Sequence, residues 1–280
     1  MTLNASITYR IVRSTVRLMA CERGIEFATG TGFFYKVERA GLVKVLILTN
    51  KHVVEGADTI RFVASTARSI DDLDEVQQPR GRLDQTFEVP LSENVHLHPD
   101  SDIDLCGIDV TVPFGTVFLA GLKHRSLLLD SSWIASGQDH LGDIEPVAVI
   151  GYPNGIWDSH NNMPVSRMGT TATHPLASYQ NGRNFLLDVA IFHGSSGSPV
   201  FLYESPFYAS PDGSLTPGTR VRLLGVVWGA LERTDEGEVK VEEIPTSTRQ
   251  VAEFKTSLNL GVALHASAIK EIDALIFPPA

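Results

Sequence analysis

Apolar residues along this chain fall in short runs, cut by glycine, proline and polar clusters, with β-branched and aromatic side chains prominent in them. That pattern predicts strands rather than helices. A first series comprises STVRL (14–18), GTGFFYKV (30–37), KVLILTN (44–50), TIRFVA (59–64) and DLCGIDV (104–110). A polar stretch, 65–101, separates the last two and reads as an extended loop or a surface strand pair. A second series runs PVAVIGYP (146–153), RMGTTAT (167–173), NFLLDVAIF (184–192), PVFLY (199–203), RLLGVVWG (222–229) and NLGVALH (259–265). One helix is expected at 266–276, where Ile269, Ile272 and Ile276 share a face. Many short strands and little helix predict an all-β sandwich or barrel architecture, and two series predict two units. The expected division is 1–112, a connection at 113–145, and 146–280.

Composition narrows the function. The chain is 43% hydrophobic and 20% charged, which is ordinary for a globular protein with a sizeable core. It carries 33 acidic and 23 basic side chains, a net charge of −10, and no basic run. Nucleic-acid binding is therefore not expected. No stretch approaches the roughly 18 apolar residues of a membrane span, and the first residues lack the apolar core of a signal peptide. Two cysteines, Cys21 and Cys106, cannot build a disulfide framework. A cytoplasmic location is the default expectation.

The stretch HGSSGSPV, 193–200, has the composition of a linker but sits between apolar strands. Glycines at 194 and 197 let the backbone turn sharply, so that N–H groups can point at one spot. Ser196 lies between them. The N–H groups of Gly194 and Ser196 would converge beside its hydroxyl, the arrangement a serine nucleophile needs for a developing oxyanion. The bland reading is an ordinary Gly/Ser turn. A nucleophilic serine also needs a base, and His52 in TNKHVVEG stands at the end of the strand KVLILT. Asp100, Asp102, Asp104 and Asp109 in HPDSDIDLCGIDV could orient that imidazole.

In combination, GTGFF, LTNKHVVEG, DIDLCGIDV, GSSGSPVF and GVVWG resemble the chymotrypsin-fold serine peptidases, in particular the bacterial trypsin-like branch near the HtrA proteases. Gly194, Ser196, Gly197, Ser198 and Pro199 match that family's nucleophile motif, and Thr49 to Val53 its histidine motif. The resemblance spans about 14–270 and implies two six-stranded antiparallel Greek-key β-barrels with a C-terminal helix. It also implies a Ser-His-Asp triad hydrolysing peptide bonds through an acyl-enzyme. The catalytic residues would be His52, Asp104 and Ser196, and the oxyanion donors Gly194 and Ser196. Asp104 is chosen because the family's strand then reads Leu105, Cys106, Gly107, Ile108, with a small residue at Cys106. Starting at Asp102 instead would bury the Asp104 carboxylate without a partner; Asp102 remains the alternative. The substrate pocket would be walled by Ala190, Ile191, Val227, Trp228 and Gly229, which are uncharged and suit a small or medium apolar side chain, unless Glu232, Arg233, Asp235 or Glu236 folds in.

Departures matter too. Ser195 stands where zymogen-activated relatives carry an aspartate, so activation by N-terminal cleavage is not expected, and no length remains for the PDZ domain of HtrA proteins. Neither metal nor organic cofactor is expected. HLHPD, 96–100, has a partial metal-ligand spacing but reads better as surface polarity. The partner implied is a protein or peptide substrate, cut narrowly; the rival reading is a barrel of the same fold that only binds.

Overall fold

The structure is a computed structural model that describes residues 6–69, 73–74, 78–210, 212–238 and 251–277, with backbone only at 232–238 and 251–257. Its first half folds into one antiparallel sheet. The strands are β1 (Thr15–Glu22), β2 (Ile25–Arg39), β3 (Leu42–Thr49), β4 (Thr59–Ala67), β5 (Leu83–Pro90), β6 (Val95–Leu97), β7 (Cys106–Asp109) and β8 (Lys123–His124). They are ordered β5-β4-β1-β2-β3-β7-β6, with β8 added to β4. The second half contains β9 (Pro146–Gly151), β10 (Val165–Thr171), β11 (Asn184–Asp188) and β12 (Pro199–Glu204). A small hairpin follows, β13 (Phe207–Ala209) and β14 (Leu215–Pro217), and then β15 (Arg220–Glu238) and β16 (Val251–His265). Six of these strands close into a barrel, β10-β11-β16-β15-β12-β9.

The first sheet differs from the six-stranded closed barrel that was expected. Its two edge strands, β5 and β6, do not pair with each other. They are consecutive in the chain and joined by the single helical turn Leu91–Asn94. The sheet therefore curls back through a covalent corner instead of a hydrogen-bonded seam. Both strands fall in the polar stretch 65–101, read as an extended loop or a surface strand pair; strands do form there, mostly exposed along β5, but they do not pair with each other. Two short helices were also not foreseen, Ile7–Val12 and Thr111–Leu119. The second contains Pro113 and Gly115, poor helix formers, and runs across the expected boundary between 1–112 and the connection 113–145.

Why β2 and β3 read as unbroken apolar runs follows from what covers them. In a strand, alternate side chains face opposite sides. Phe34, Val45 and Ile47 point into a core inside the first sheet with Val16, Leu18, Phe62 and Ile108. Phe33, Tyr35, Leu46 and Leu48 point the other way. There they meet Ile150, Phe201, Leu223 and Leu264 of the second barrel, together with Ile269 and Ile272 of the C-terminal helix. Strands buried on both faces lose polar alternation. Each such side chain contributes about 1.5–3 kcal/mol of transfer free energy, so the seam is a true core shared by the two halves. The helix, Ile269–Ile276, is held there as well by Tyr35, whose hydroxyl donates to Asp273 Oδ2 at 3.0 Å. Ile269 and Ile272 are fully buried, as the expected helical face required, and Ile276 packs at the margin.

Candidate active site

His52 lies on the single helical turn Lys51–Val54 that follows β3. Its backbone N–H donates to Asp104 Oδ1 at 3.1 Å, and its ring Nδ1 stands 2.5 Å from Asp104 Oδ2. Asn50, fully buried, donates from Nδ2 to the Asp104 backbone carbonyl at 2.7 Å, and Lys51 Nζ donates to the carbonyl of Asp100 at 2.8 Å. These bonds set the strand end and the carboxylate-bearing loop in register. Burial would raise the Asp104 pKa, but the hydrogen bond and charge interaction with His52 outweigh it and hold the carboxyl below its ordinary value. An ionised Asp104 accepts the Nδ1 proton, so Nε2 is the ring nitrogen left unprotonated in the neutral imidazole. Asp102 is exposed, accepts from the Ser101 hydroxyl, and sends its own N–H to Asp100.

Ser196 sits in a double turn. Ser195 N–H donates to the Phe192 carbonyl and Ser198 N–H to the Ser195 carbonyl, each at 3.0 Å, while Gly197 N–H donates to the Val227 carbonyl at 2.8 Å. The N–H groups of Gly194 and Ser196 have no acceptor among the described residues. Both glycines are left-handed, at φ +82° and +86°. A Cβ at 197 would fall 1.9 Å from the Thr31 carbonyl, and one at 194 would fall 2.6 Å from the Tyr152 carbonyl. Only glycine fits either place. The Ser196 hydroxyl makes no hydrogen bond among the described residues, to His52 or otherwise. Ser195 is buried and its hydroxyl accepts from the Phe192 N–H at 3.5 Å. Ser198 is fully buried, and its hydroxyl has no partner among the described residues.

Thr31, on β2, joins the serine turn to the histidine strand. Its N–H donates to the Ser196 carbonyl at 2.9 Å, and its carbonyl accepts from the Thr49 hydroxyl at 2.7 Å, three residues before His52. Its own hydroxyl donates to the Gly194 carbonyl at 2.7 Å and accepts from the Tyr152 N–H at 3.1 Å. Sequence reading placed GTG, 30–32, at the start of a strand and gave Thr31 no role in the site. A threonine between glycines, one apolar strand before the histidine motif, was the only local hint. Asn154 adds a further tie, donating its N–H to the His193 carbonyl at 2.5 Å.

Of the expected pocket residues, Ile191 and Val227 are buried in the core of the second barrel, whereas Ala190 and Gly229 are half-buried. Trp228 is pushed outward by a bulge, because Val227 pairs with Ala263 and Gly229 with Val262. Its indole N–H donates to Asn184 Oδ1 at 3.1 Å. The side chains of Glu232, Arg233, Asp235 and Glu236 lie outside the described residues. A cation does reach this wall from elsewhere: Arg167 on β10 donates to the Ala190 carbonyl and lies 4.6 Å from the ring centre of Phe192. His98, from HLHPD, is buried with Nε2 3.1 Å from Glu271 Oε2 of the C-terminal helix. Among the described residues no three His, Cys, Asp or Glu side chains cluster as a metal site. Nor is any described helix long and apolar enough to cross a membrane.

Among solved structures the chain is similar to the serine endoprotease from Yersinia pestis, at 15% identity and a TM-score of 0.48 over 99% of this chain and 68% of that one. It is similar also to an inactivated protease paralogue of the scabies mite, at 14% identity and 0.48 over 96% of each chain. A thermostable serine protease from an extremophilic microorganism shares 13% identity at 0.46, over 96% of this chain and 99% of that one. No curated protein matches the sequence. A family model described as a trypsin-like peptidase domain matches residues 30–209, well over half of the chain and the whole span from Thr31 through His52 and Asp104 to Ser196. The chain belongs to the trypsin-like peptidase family.

Proposed function

We propose that this serine endopeptidase cuts peptide bonds with Ser196 as nucleophile, His52 as general base and Asp104 as the group that orients the imidazole. The observation that carries the reading is the serine turn, where three of five successive N–H groups are bonded inside the chain and those of Gly194 and Ser196 are left as donors. Ser196 attacks the substrate carbonyl while His52 Nε2 takes its proton. The two N–H groups receive the oxyanion, which is the largest expected contribution to rate. His52 then protonates the leaving amine, and water resolves the acyl-enzyme. The ionised Asp104 favours the tautomer with Nδ1 protonated and stabilises the imidazolium that forms.

Within the family the HtrA-like branch is the reading we favour, on the motifs at 49–53 and 194–199. With no aspartate at 195 to receive a freed N-terminus, we infer a narrow substrate choice in place of a zymogen switch: limited proteolysis of a specific protein, in the cytoplasm. The half-buried Ala190 and Gly229 favour a small apolar side chain before the cut. Arg167 beside Ala190 favours a second reading, an acidic side chain at that position.

A fluorophosphonate probe tests the chemistry. It should label wild type at Ser196 and leave Ser196→Ala unlabelled; folded wild type that resists labelling would leave a binding module as the better reading. Asp104→Asn should lower kcat by about four orders of magnitude through the wrong tautomer. A peptide library with Ala, Leu, Glu and Lys before the scissile bond separates the two specificities.

A further inference from the structure

Away from the serine turn, two arginines are buried at the seam between the halves. Arg13 and Arg125 are each only 8% exposed. Arg13 stacks over the Tyr9 ring, its guanidinium carbon 3.4 Å from the ring centre, and donates from Nη1 to the Tyr9 carbonyl at 3.2 Å. Its Nε has no partner among the described residues. Arg125 donates to neutral acceptors only: Gln78 Oε1, the carbonyls of Asn161 and Asn162, and Met163 Sδ. Among the described residues no carboxylate lies within ion-pair distance of either guanidinium. Asp84, which belongs to the same neighbourhood, is taken by Arg82 at 3.2 Å and by the Ser65 hydroxyl at 2.7 Å. Both arginines line a cavity of about 20 Å³, with Thr15, Ser65, Ser126 and Asn162 among the other walls. Thr15 is buried and its hydroxyl, like Arg13 Nε, has no partner among the described residues.

A buried polar group without a partner is costly, and a buried charge without a counter-charge more so. Burial, and then the nearby charge of Arg125, push the Arg13 pKa down to about 10. A water molecule in the cavity would satisfy the donors but leave the charge. A small anion does both. The volume is enough for one atom-sized guest. We propose that this cavity is a site for one halide-sized monovalent anion, held by Arg13 Nε, the Thr15 hydroxyl and the field of Arg125. Tyr152 also lines the cavity, and its N–H is the one bonded to Thr31. An anion there would brace the seam beneath the serine turn, independently of the peptidase chemistry.

The test is thermal unfolding of the whole chain in sodium gluconate, replaced stepwise by sodium bromide at constant ionic strength and pH. Wild type should show a saturable rise in Tm, roughly 5–10 °C when bromide reaches about a hundred times its Kd. Thr15→Val should flatten the titration while preserving the fold, and Arg13→Met should abolish it. Crystals grown in bromide should carry an anomalous peak within hydrogen-bond reach of Arg13 Nε. No saturable effect of bromide over gluconate, or a cavity with no anomalous signal, would overturn the proposal. An undiminished bromide response in Thr15→Val would do so as well. Should Arg13→Met fail to fold, the wild-type anomalous map and Thr15→Val still decide.

Discussion

Replacing Thr31 by valine keeps the shape of the side chain and removes its hydroxyl. Two groups then lose a partner: the Gly194 carbonyl, bonded at 2.7 Å, and the Tyr152 N–H, bonded at 3.1 Å. Thr31 is fully buried, so water does not replace the hydroxyl directly. Each unsatisfied buried group costs about 1–3 kcal/mol. The Gly194 side is half-open and can be partly solvated, which brings the sum to about 2–4 kcal/mol. For a chain of this size that lowers Tm by roughly 5–15 °C. The second consequence is kinetic. Gly194 carries one of the two proposed oxyanion donors, and loss of such a donor costs about 10²–10³ in kcat. A turn that shifts without collapsing should lose part of that, about ten- to a hundredfold, with KM little changed. Thr31→Ser keeps the hydroxyl and should recover most of both losses. The assays are calorimetry and steady-state cleavage of a fluorogenic peptide, normalised by active-site labelling. A Thr31→Val protein that melts within about 2 °C of wild type with unchanged kcat would refute the reasoning. One that melts early but keeps full kcat would reduce Thr31 to a seam contact.

Gly197→Ala should prevent folding or cost more than about 3 kcal/mol, because its Cβ would overlap the Thr31 carbonyl at 1.9 Å; Gly213→Ala, also left-handed at φ +81° but with open space around it, should cost only about 1 kcal/mol, and equal losses in denaturant titrations would deny the clash. His124 is stacked on Phe114, and burial lowers its pKa from 6.5 to about 4. The unfolded chain therefore takes the proton first, so stability should fall by about 2–3 kcal/mol as pH drops from 6.5 to 4. His124→Phe should flatten that part of the pH profile, and an unchanged slope would exclude His124 as its source. Burial raises the Asp273 pKa above 3.8, although the Tyr35 hydroxyl opposes it. A raised carboxyl loses stability as pH rises through its folded value, so Asp273→Asn should melt higher than wild type at pH 7. That advantage should vanish below pH 3.8, and a variant less stable at pH 7 would show that the charge is welcome there.

Most strands and the C-terminal helix were legible in the chain because their signals are local: β-branched runs between turn residues, and isoleucines spaced to one helical face. HGSSGSPV and TNKHVVEG were legible for a related reason, since sharp turns built on glycine and a histidine at a strand end leave marks in adjacent residues. Asp104 was separable from Asp102 only through the small-residue pattern of the strand that follows it. Other features depend on residues far apart in sequence. The stretch 65–101 could be read only as an extended loop or a surface strand pair, because the exposed residues of β5 blur strand periodicity, and the open edge between β5 and β6 depends on ladders that no single segment encodes. Thr31 looked like spacing between two glycines until β2 was laid against the serine turn, 163 residues away along the chain. Arg167 reached the pocket wall only through the closing of the second barrel, where β10 lies beside β11, and Arg125 met the carbonyls of Asn161 and Asn162 only through the packing of one half on the other. Local conformational preference is written residue by residue; hydrogen bonds and buried charges that cross the seam exist only once both halves are folded.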